Sequence, residues 1–398
     1  MKKVIIWDKD MTLKDAGGPS GYLFNLKQYL TLHPTPQITF YSDFVPPQET
    51  PDSGSYKVKG LKGRLKETAI GKVFAYLGWF YYQQVPLSKK DLEILEQYDY
   101  VHIHMISAFL RSFRGYKGHA KVILTSHMPE PCIDETMGLC GYPNLLKRMP
   151  ALRNFFIKRE LGAYKEAYKI MFPVETATEV YTENSSLYKE AFKTIKEKMF
   201  FVPTAIVDKE ISKGCSNILS SKQIPSDHLK LCFIGRHNQV KGYDKLKLIA
   251  QECWKKIPNT TFIVGGKEEP LKGLNDERWI ELGWINTQEL LKEIDVFVLP
   301  NKDTYFDLIM LEVIRQGVPC LISRTGGNKH FENIGIEGIK LYDYSNIEDA
   351  VKKIESFRET KQKGLLPQMK EQIRSYYLVN YIPEVYVENY IKQIEAIV

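Results

Sequence analysis

Short, almost wholly apolar runs punctuate the chain, with helical patterns between many of them, and they come in two series. The first covers 4–7, 37–41, 99–104, 121–125, 169–172 and 199–202; the second covers 230–234, 261–264, 295–299 and 318–322. Helical patterns read over 20–31 and 151–167, then over 242–256, 287–293, 307–316 and 347–357. A strand that is apolar on both faces needs cover on both sides, which parallel sheets obtain from the helices that connect their strands. The fold class is therefore α/β, with two doubly wound domains in tandem, as a chain of 398 residues allows. The boundary falls near Pro203, and the polar stretch 204–228 carries the linker. The tail 366–398 reads as two helices broken at Pro383 and rich in tyrosine (376, 377, 381, 386 and 390).

Composition removes several classes. No apolar run approaches the roughly 20 residues of a membrane span. The opening Met1–Asp8 has too short an apolar stretch for a signal peptide and reads as a first strand. The six cysteines form no CxxC pair and no ligand spacing, which suits reduced thiols and a cytoplasmic location. The net charge of +7 is uneven: residues 1–200 hold 28 basic and 21 acidic side chains, and the remainder hold 27 of each. Within the first half, residues 57–90 carry eight basic residues and one acid, Glu67. A nucleic-acid coat would spread such charge more evenly, so nucleic acid is not expected as a partner. A local anionic partner, such as a membrane face, fits better.

Ligands of doubly wound sheets lie beyond the carboxyl ends of the strands, and with two such domains the cleft between them is the expected site. After the first strand, Gly17-Gly18-Pro19-Ser20-Gly21 opens a helix; it is either an anion-binding backbone turn or an ordinary tight turn. The same strand ends in Asp8-Lys9-Asp10-Met11-Thr12, which fits the opening of haloacid dehalogenase-type phosphatases, although the other strand ends offer no paired carboxylates to complete it. Ser126-His127 follows the 121–125 strand, so His127 is either a cleft histidine or a satisfied loop residue. His102 and His104 alternate within a strand and point the same way, as packing or hydrogen-bonding residues. The second series opens with Gly235-Arg236-His237-Asn238-Gln239-Val240-Lys241-Gly242, a guanidinium fork and an ammonium at a helix start, which suits a diphosphate. Glu312 sits on an otherwise apolar helix, where a carboxylate needs partners such as ribose hydroxyls.

Taken together these residues resemble a GT-B glycosyltransferase of the family 4 type, over nearly the whole chain and most closely over 230–345. The family's G-R-x4-K-G matches Gly235, Arg236, Lys241 and Gly242, and its LEAMAxGxPV matches Leu311 through Cys320. Its paired glycines match Gly326-Gly327, its later NGxLV resembles Glu337 through Leu341, and its FxGxV matches Leu282-Gly283-Trp284-Ile285. In the first domain, Gly17-Gly18 and Thr125-Ser126-His127 match the glycine loop and the TxH strand end. The resemblance implies two Rossmann-like domains facing a cleft, with the aromatic C-terminal helices crossing back, so that the domains are 1–203 plus about 380–398, and 204–379. It implies retaining transfer from a nucleotide-diphosphate sugar. Arg236 and Lys241 would neutralise the leaving diphosphate, so that neither metal nor cofactor is called for. Glu312 would hold the ribose, Gly18 would offer a backbone N–H to phosphate, and His127 would contact the donor sugar. The backbone at Trp284-Ile285 would meet the base. Gly17, Gly235, Thr304 and Leu308 complete the implied donor-binding set.

Two positions depart from the family pattern. Thr304 stands eight residues before Glu312, where the family often has a first Glu facing the sugar, and Asp307 stands where a Gly is usual. Thr304 motivates an alternative: a GT-B binding subunit that supports a partner transferase. For the transferase, the resemblance implies a saccharide or lipid-linked acceptor and a place in cell-surface polysaccharide synthesis on the inner membrane face. Basic and aromatic residues interleave over 57–82 and again at Lys147, Arg148, Arg153, Phe155, Phe156, Lys158 and Arg159. Each stretch is either an interfacial surface for anionic lipid or a solvated face with its aromatics packed inward.

Overall fold

The structure is a computed structural model that describes residues 1–9, 11–14, 18–46, 68, 71, 85–139, 148–208 and 218–397. Among these residues the strands form two six-stranded sheets, each parallel throughout. The first contains β1 (Val4–Trp7), β2 (Ile38–Phe40), β3 (Tyr100–Ile103), β4 (Lys121–Thr125), β5 (Lys169–Phe172) and β6 (Met199–Phe201), in the order β2-β1-β3-β4-β5-β6. The second contains β7 (Leu229–Ile234), β8 (Thr260–Gly265), β9 (Trp279–Gly283), β10 (Val296–Leu299), β11 (Cys320–Ser323) and β12 (Ile339–Tyr342), in the order β12-β11-β10-β7-β8-β9. Central strands are buried at every residue: Val4-Ile5-Ile6-Trp7 in β1 and Val296-Phe297-Val298-Leu299 in β10. Each such side chain contributes about 1.5–3 kcal/mol by leaving water.

The strand order reverses once in each sheet, between β1 and β3 and between β7 and β10. Connecting helices therefore leave to opposite faces at those points, which opens a crevice at the strands' carboxyl ends. Gly242 shows how closely the loops meet in the second sheet. It adopts φ 65°, and a Cβ there would lie 1.6 Å from the Pro300 carbonyl oxygen. Lys302 N–H also donates to Val240 O across the same point at 2.9 Å.

The chain forms two compact units. One comprises Met1–Phe172, Val180–Val202 and Glu388–Val398; the other comprises Pro173–Glu179 and Pro203–Val387. The second unit thus keeps the chain through Val387, beyond the return expected near 380, and also holds the excursion Pro173–Glu179. That excursion is tied by Glu179, which pairs with Lys329 at 2.6 Å. The last helix, Pro383–Ala396, anchors its end to the first sheet: Tyr390 OH lies 2.8 Å from His102 Nδ1, and Lys2 N–H donates to Glu395 Oε1 at 2.9 Å. Among the described residues no helix is long and apolar enough to cross a membrane.

Candidate functional site

In the second unit, β7 delivers the Gly235–Gly242 loop to the reversal point. The loop is shaped by its own turns: Asn238 Oδ1 accepts from Lys241 N–H at 2.9 Å, and Gly242 N–H donates to Gln239 O at 3.0 Å. Arg236 projects outward and is exposed, with no ion pair among the described residues. His237 turns inward and is fully buried; it stacks on Tyr243 at 4.1 Å, and burial lowers its pKa against the opposing pull of Glu281. Glu281 Oε1 in turn accepts from Tyr243 OH at 2.5 Å and Trp279 Nε1 at 2.7 Å. The loop therefore rests on a packed aromatic base that leaves Arg236 exposed and Lys241 partly buried at the reversal point.

The loop after β10 supplies the other side. Lys241 Nζ lies 2.6 Å from Asp307 Oδ2, and Asn301 Nδ2 donates to the same oxygen. Asp307 precedes the helix Leu308–Arg315, on which Leu308 and Glu312 are half-buried. Thr304 is fully buried: its carbonyl accepts from Gly327 N–H at 2.8 Å, and its hydroxyl is 3.4 Å from that of Thr325. Gly327 has to be glycine, since a Cβ would meet Tyr305 O at 2.0 Å. After β9, Gly283 turns with φ 68°, Ile285 packs toward Gly265, and the Trp284 ring is 86% exposed.

In the first unit, Gly18 (φ 77°) starts the helix Gly18–Leu32. Gly17 and Asp10 lie outside the described residues. Asp8 is buried and turned onto the chain itself, where it accepts from Ser42 N–H at 2.8 Å and Ser42 Oγ at 2.5 Å. A carboxylate so engaged is a brace for the turn after β2, which leaves the phosphatase motif without an open nucleophile. Three imidazoles gather at the ends of β3 and β4. His104 Nδ1 lies 3.0 Å from His127 Nε2, and His102 Nε2 lies 2.8 Å from Thr125 Oγ1. Tyr22, on the helix that Gly18 opens, packs on His127 with ring centroids 4.9 Å apart. Burial pushes His102 and His127 down to about 3, and His104 well below its usual range. All three are therefore neutral at physiological pH.

The model of the family described as "Glycosyl transferases group 1" matches residues 216–376. Sucrose-phosphate synthase from Thermosynechococcus elongatus aligns over 100% of both chains with a TM-score of 0.63 at 15% identity. The chain has the GT-B fold, and the segment that the family model matches lies within its second unit. The Anabaena HepE protein, solved in complex with UDP-glucose, also aligns over 100% of both chains, with a TM-score of 0.60 at 13% identity. By sequence, an Escherichia coli UDP-Gal:alpha-D-GlcNAc-diphosphoundecaprenol alpha-1,3-galactosyltransferase is 30% identical over 110 residues, which cover 25% of this chain and 28% of that one. The chain spans well under half the length of the bacterial curated relatives it matches.

Within this GT-B frame, β7 and β10 bring Gly235, Arg236, Lys241, Leu308 and Glu312 to one reversal point, with Thr304 buried beneath. Gly18 and His127 belong to the other unit. Three features were not anticipated. His104 joins His127, a partnership hinted at by the alternation of His102 and His104 next to β4. Asp307 turns to Lys241, which its spacing from the G-R-x4-K-G loop did not reveal. His237, inside that motif, is a core residue. The second basic cluster is also not one open face: Arg153 forms a bidentate pair with Asp134, with a closest approach of 2.6 Å, and Phe156 is buried, while Arg148, Phe155 and Lys158 are exposed. The stretch 57–82 lies outside the described residues except for 68 and 71.

Proposed function

We propose that this protein is a retaining glycosyltransferase of the family 4 type that moves a hexosyl group from a nucleotide-diphosphate sugar, with UDP as the first candidate, to a saccharide or lipid-linked acceptor. One observation carries the reading. Arg236 and Lys241 sit on a loop at the reversal point of the second sheet, beside the start of the helix 308–315 and within the matched family segment. A fork of guanidinium donors and a point charge there suit a leaving diphosphate, whose developing charge they would stabilise without a metal ion. In the transfer, the bond from the anomeric carbon to the phosphate oxygen breaks, and the acceptor oxygen bonds to that carbon on the same face. The departing phosphate takes the acceptor's proton. Glu312 would accept from ribose hydroxyls, Trp284-Ile285 would meet the base, and Gly17-Gly18 would offer backbone N–H groups to phosphate. A neutral His127 would hydrogen-bond the sugar without attracting the diphosphate away from its cations.

The E. coli relative, named for galactosyl transfer from UDP-Gal to a diphosphoundecaprenol-linked sugar, and the HepE complex with UDP-glucose support a nucleotide-sugar donor and a saccharide or lipid-linked acceptor. The test is thermal shift against UDP- and GDP-sugars, followed by release of free nucleoside diphosphate, with Arg236→Ala as control. A shift with one donor that Arg236→Ala abolishes is the expected result; no shift with any nucleotide sinks the reading. The full burial of Thr304, where a sugar-facing carboxylate is usual, favours one second reading: a binding subunit that lacks turnover. A nucleotide-induced shift without turnover across a broad acceptor panel would select it. Membrane contact is tested by co-sedimentation with anionic liposomes, which salt should weaken; equal binding to neutral liposomes removes it.

A further inference from the structure

Asp307 is the N-terminal cap of the helix Leu308–Arg315, with φ −73° and ψ 130°, yet its side chain accepts no hydrogen bond from that helix. An aspartate at this position ordinarily accepts from the second or third helical N–H. Asn346 and Ser88 cap their helices that way, accepting from Asp349 N–H at 3.0 Å and from Asp91 N–H at 3.2 Å, whereas Ser185 does not. The Asp307 carboxylate is instead turned to the loop after β7. There its Oδ2 takes both Lys241 Nζ, at 2.6 Å, and Asn301 Nδ2. The pair is largely out of water, with side-chain exposures of 19% for Lys241 and 16% for Asp307. Asn301 is fully buried and its Oδ1 has no hydrogen-bond partner, so the carboxamide is oriented by Asp307 alone on that side. Arg236, five residues before Lys241, remains open.

A carboxylate held between an ammonium and a helix start occupies the place where an external anion would gain most. We infer that Asp307 is an internal anion that engages Lys241 in the donor-free protein, and that a nucleoside diphosphate has to take Lys241 from it, so that Asp307 sets donor affinity. This rests on the reading of the second unit as the donor-binding unit. Arg236 then supplies the first attraction, and Lys241 is released only to a ligand with enough negative charge to compete. Asp307 acts through Lys241 and is a positioning residue. A glycine at this position would leave Lys241 uncommitted.

The test is calorimetric titration of UDP and GDP into the full chain and into Asp307→Asn, Lys241→Met and the double variant, with thermal unfolding to confirm that each is folded. Asp307→Asn is expected to bind about tenfold tighter, the scale of freeing one partly buried ion pair. In the Lys241→Met background the same change is expected to matter less than about twofold, because the residue it would free is gone. Equal gains in the two backgrounds would mean simple relief of charge repulsion and would overturn the inference, as would no gain at all in folded Asp307→Asn. Asp307→Gly serves as the second variant if Asp307→Asn does not fold. If the wild type binds and neither variant gains, the inference alone falls. If neither wild type nor variants bind any nucleoside diphosphate, the donor-site reading falls and takes the inference with it.

Discussion

The reversal point of the first sheet is lined by imidazoles that burial keeps neutral, whereas that of the second carries a guanidinium and an ammonium, the latter already paired with Asp307. The two sheets have the same parallel architecture, so the difference lies in the residues at the carboxyl ends of their strands. His102 in β3 and His104 just beyond its end are buried and lose their water. The Gly235–Gly242 loop leaves Arg236 exposed and buries His237. The first point is thus uncharged, and the second carries one open cation, Arg236, and one paired cation, Lys241. The difference in charge between two similar frames thus arises from burial depth and pairing.

The largest way to break this comparison is Gly242→Ala. Its left-handed backbone and a Cβ 1.6 Å from Pro300 O leave no room, so the second unit should lose about 3 kcal/mol or more. Denaturant unfolding reads the loss, and a wild-type midpoint would show that the loops do not meet as described. The next test is acid. His102 has a pKa of about 3 when folded against about 6.5 unfolded, so its contribution is present above 6.5 and is lost as pH falls toward 3, about 2 kcal/mol by pH 5. Glu160 acts with the opposite sign: burial raises it to about 7, and its contribution is lost as pH rises from the usual carboxylate range through that value. The informative measurement is therefore the difference between His102→Gln and wild type from pH 7 to 5, in which Glu160 cancels. That difference should narrow by the stated amount, and a constant difference would place a charged imidazole in the first unit.

Gly18→Ala sharpens the comparison of the two loops. Gly18 has φ 77°, but a Cβ there meets nothing within 4 Å, so only the backbone term of about 1 kcal/mol applies. Thermal unfolding should place this variant well above Gly242→Ala; equal losses would mean that crowding is not what separates the loops. The smallest effect belongs to Trp284→Ala. With the ring 86% exposed, stability should change by less than about 0.5 kcal/mol. A larger loss would show the indole packed against the chain.

The buried strands were legible because parallel strands announce themselves as unbroken apolar runs. β9 and β12 were not read as strands. They are the two edges of the second sheet, and Trp279, Ile339 and Leu341 are interspersed with half-buried residues, which breaks the run. The helices Lys89–Leu95 and Ser186–Ile195 also went unread; one is short, and the other is polar on its outer face. The G-R-x4-K-G loop could be found from its residues alone, since glycines and cations at a strand–helix junction have few other uses. The Lys241–Asp307 pair could not, because 66 residues separate its members and only the order of β7 and β10 makes them neighbours. The same holds for Glu179 and Lys329, which are 150 residues apart and draw Pro173–Glu179 into the second unit.

The sequence by itself determined the α/β class, the two sheets, the glycine-bearing turns and the presence of a cationic loop, all of which come from local hydrophobic period and from the few residues that fit a tight turn. Tertiary structure decided which of those charges are open. Burial and pairing depend on what lies across the fold: His237 became core, Asp8 a brace and Thr304 buried packing, and Lys241 acquired a carboxylate partner while Arg236 stayed exposed.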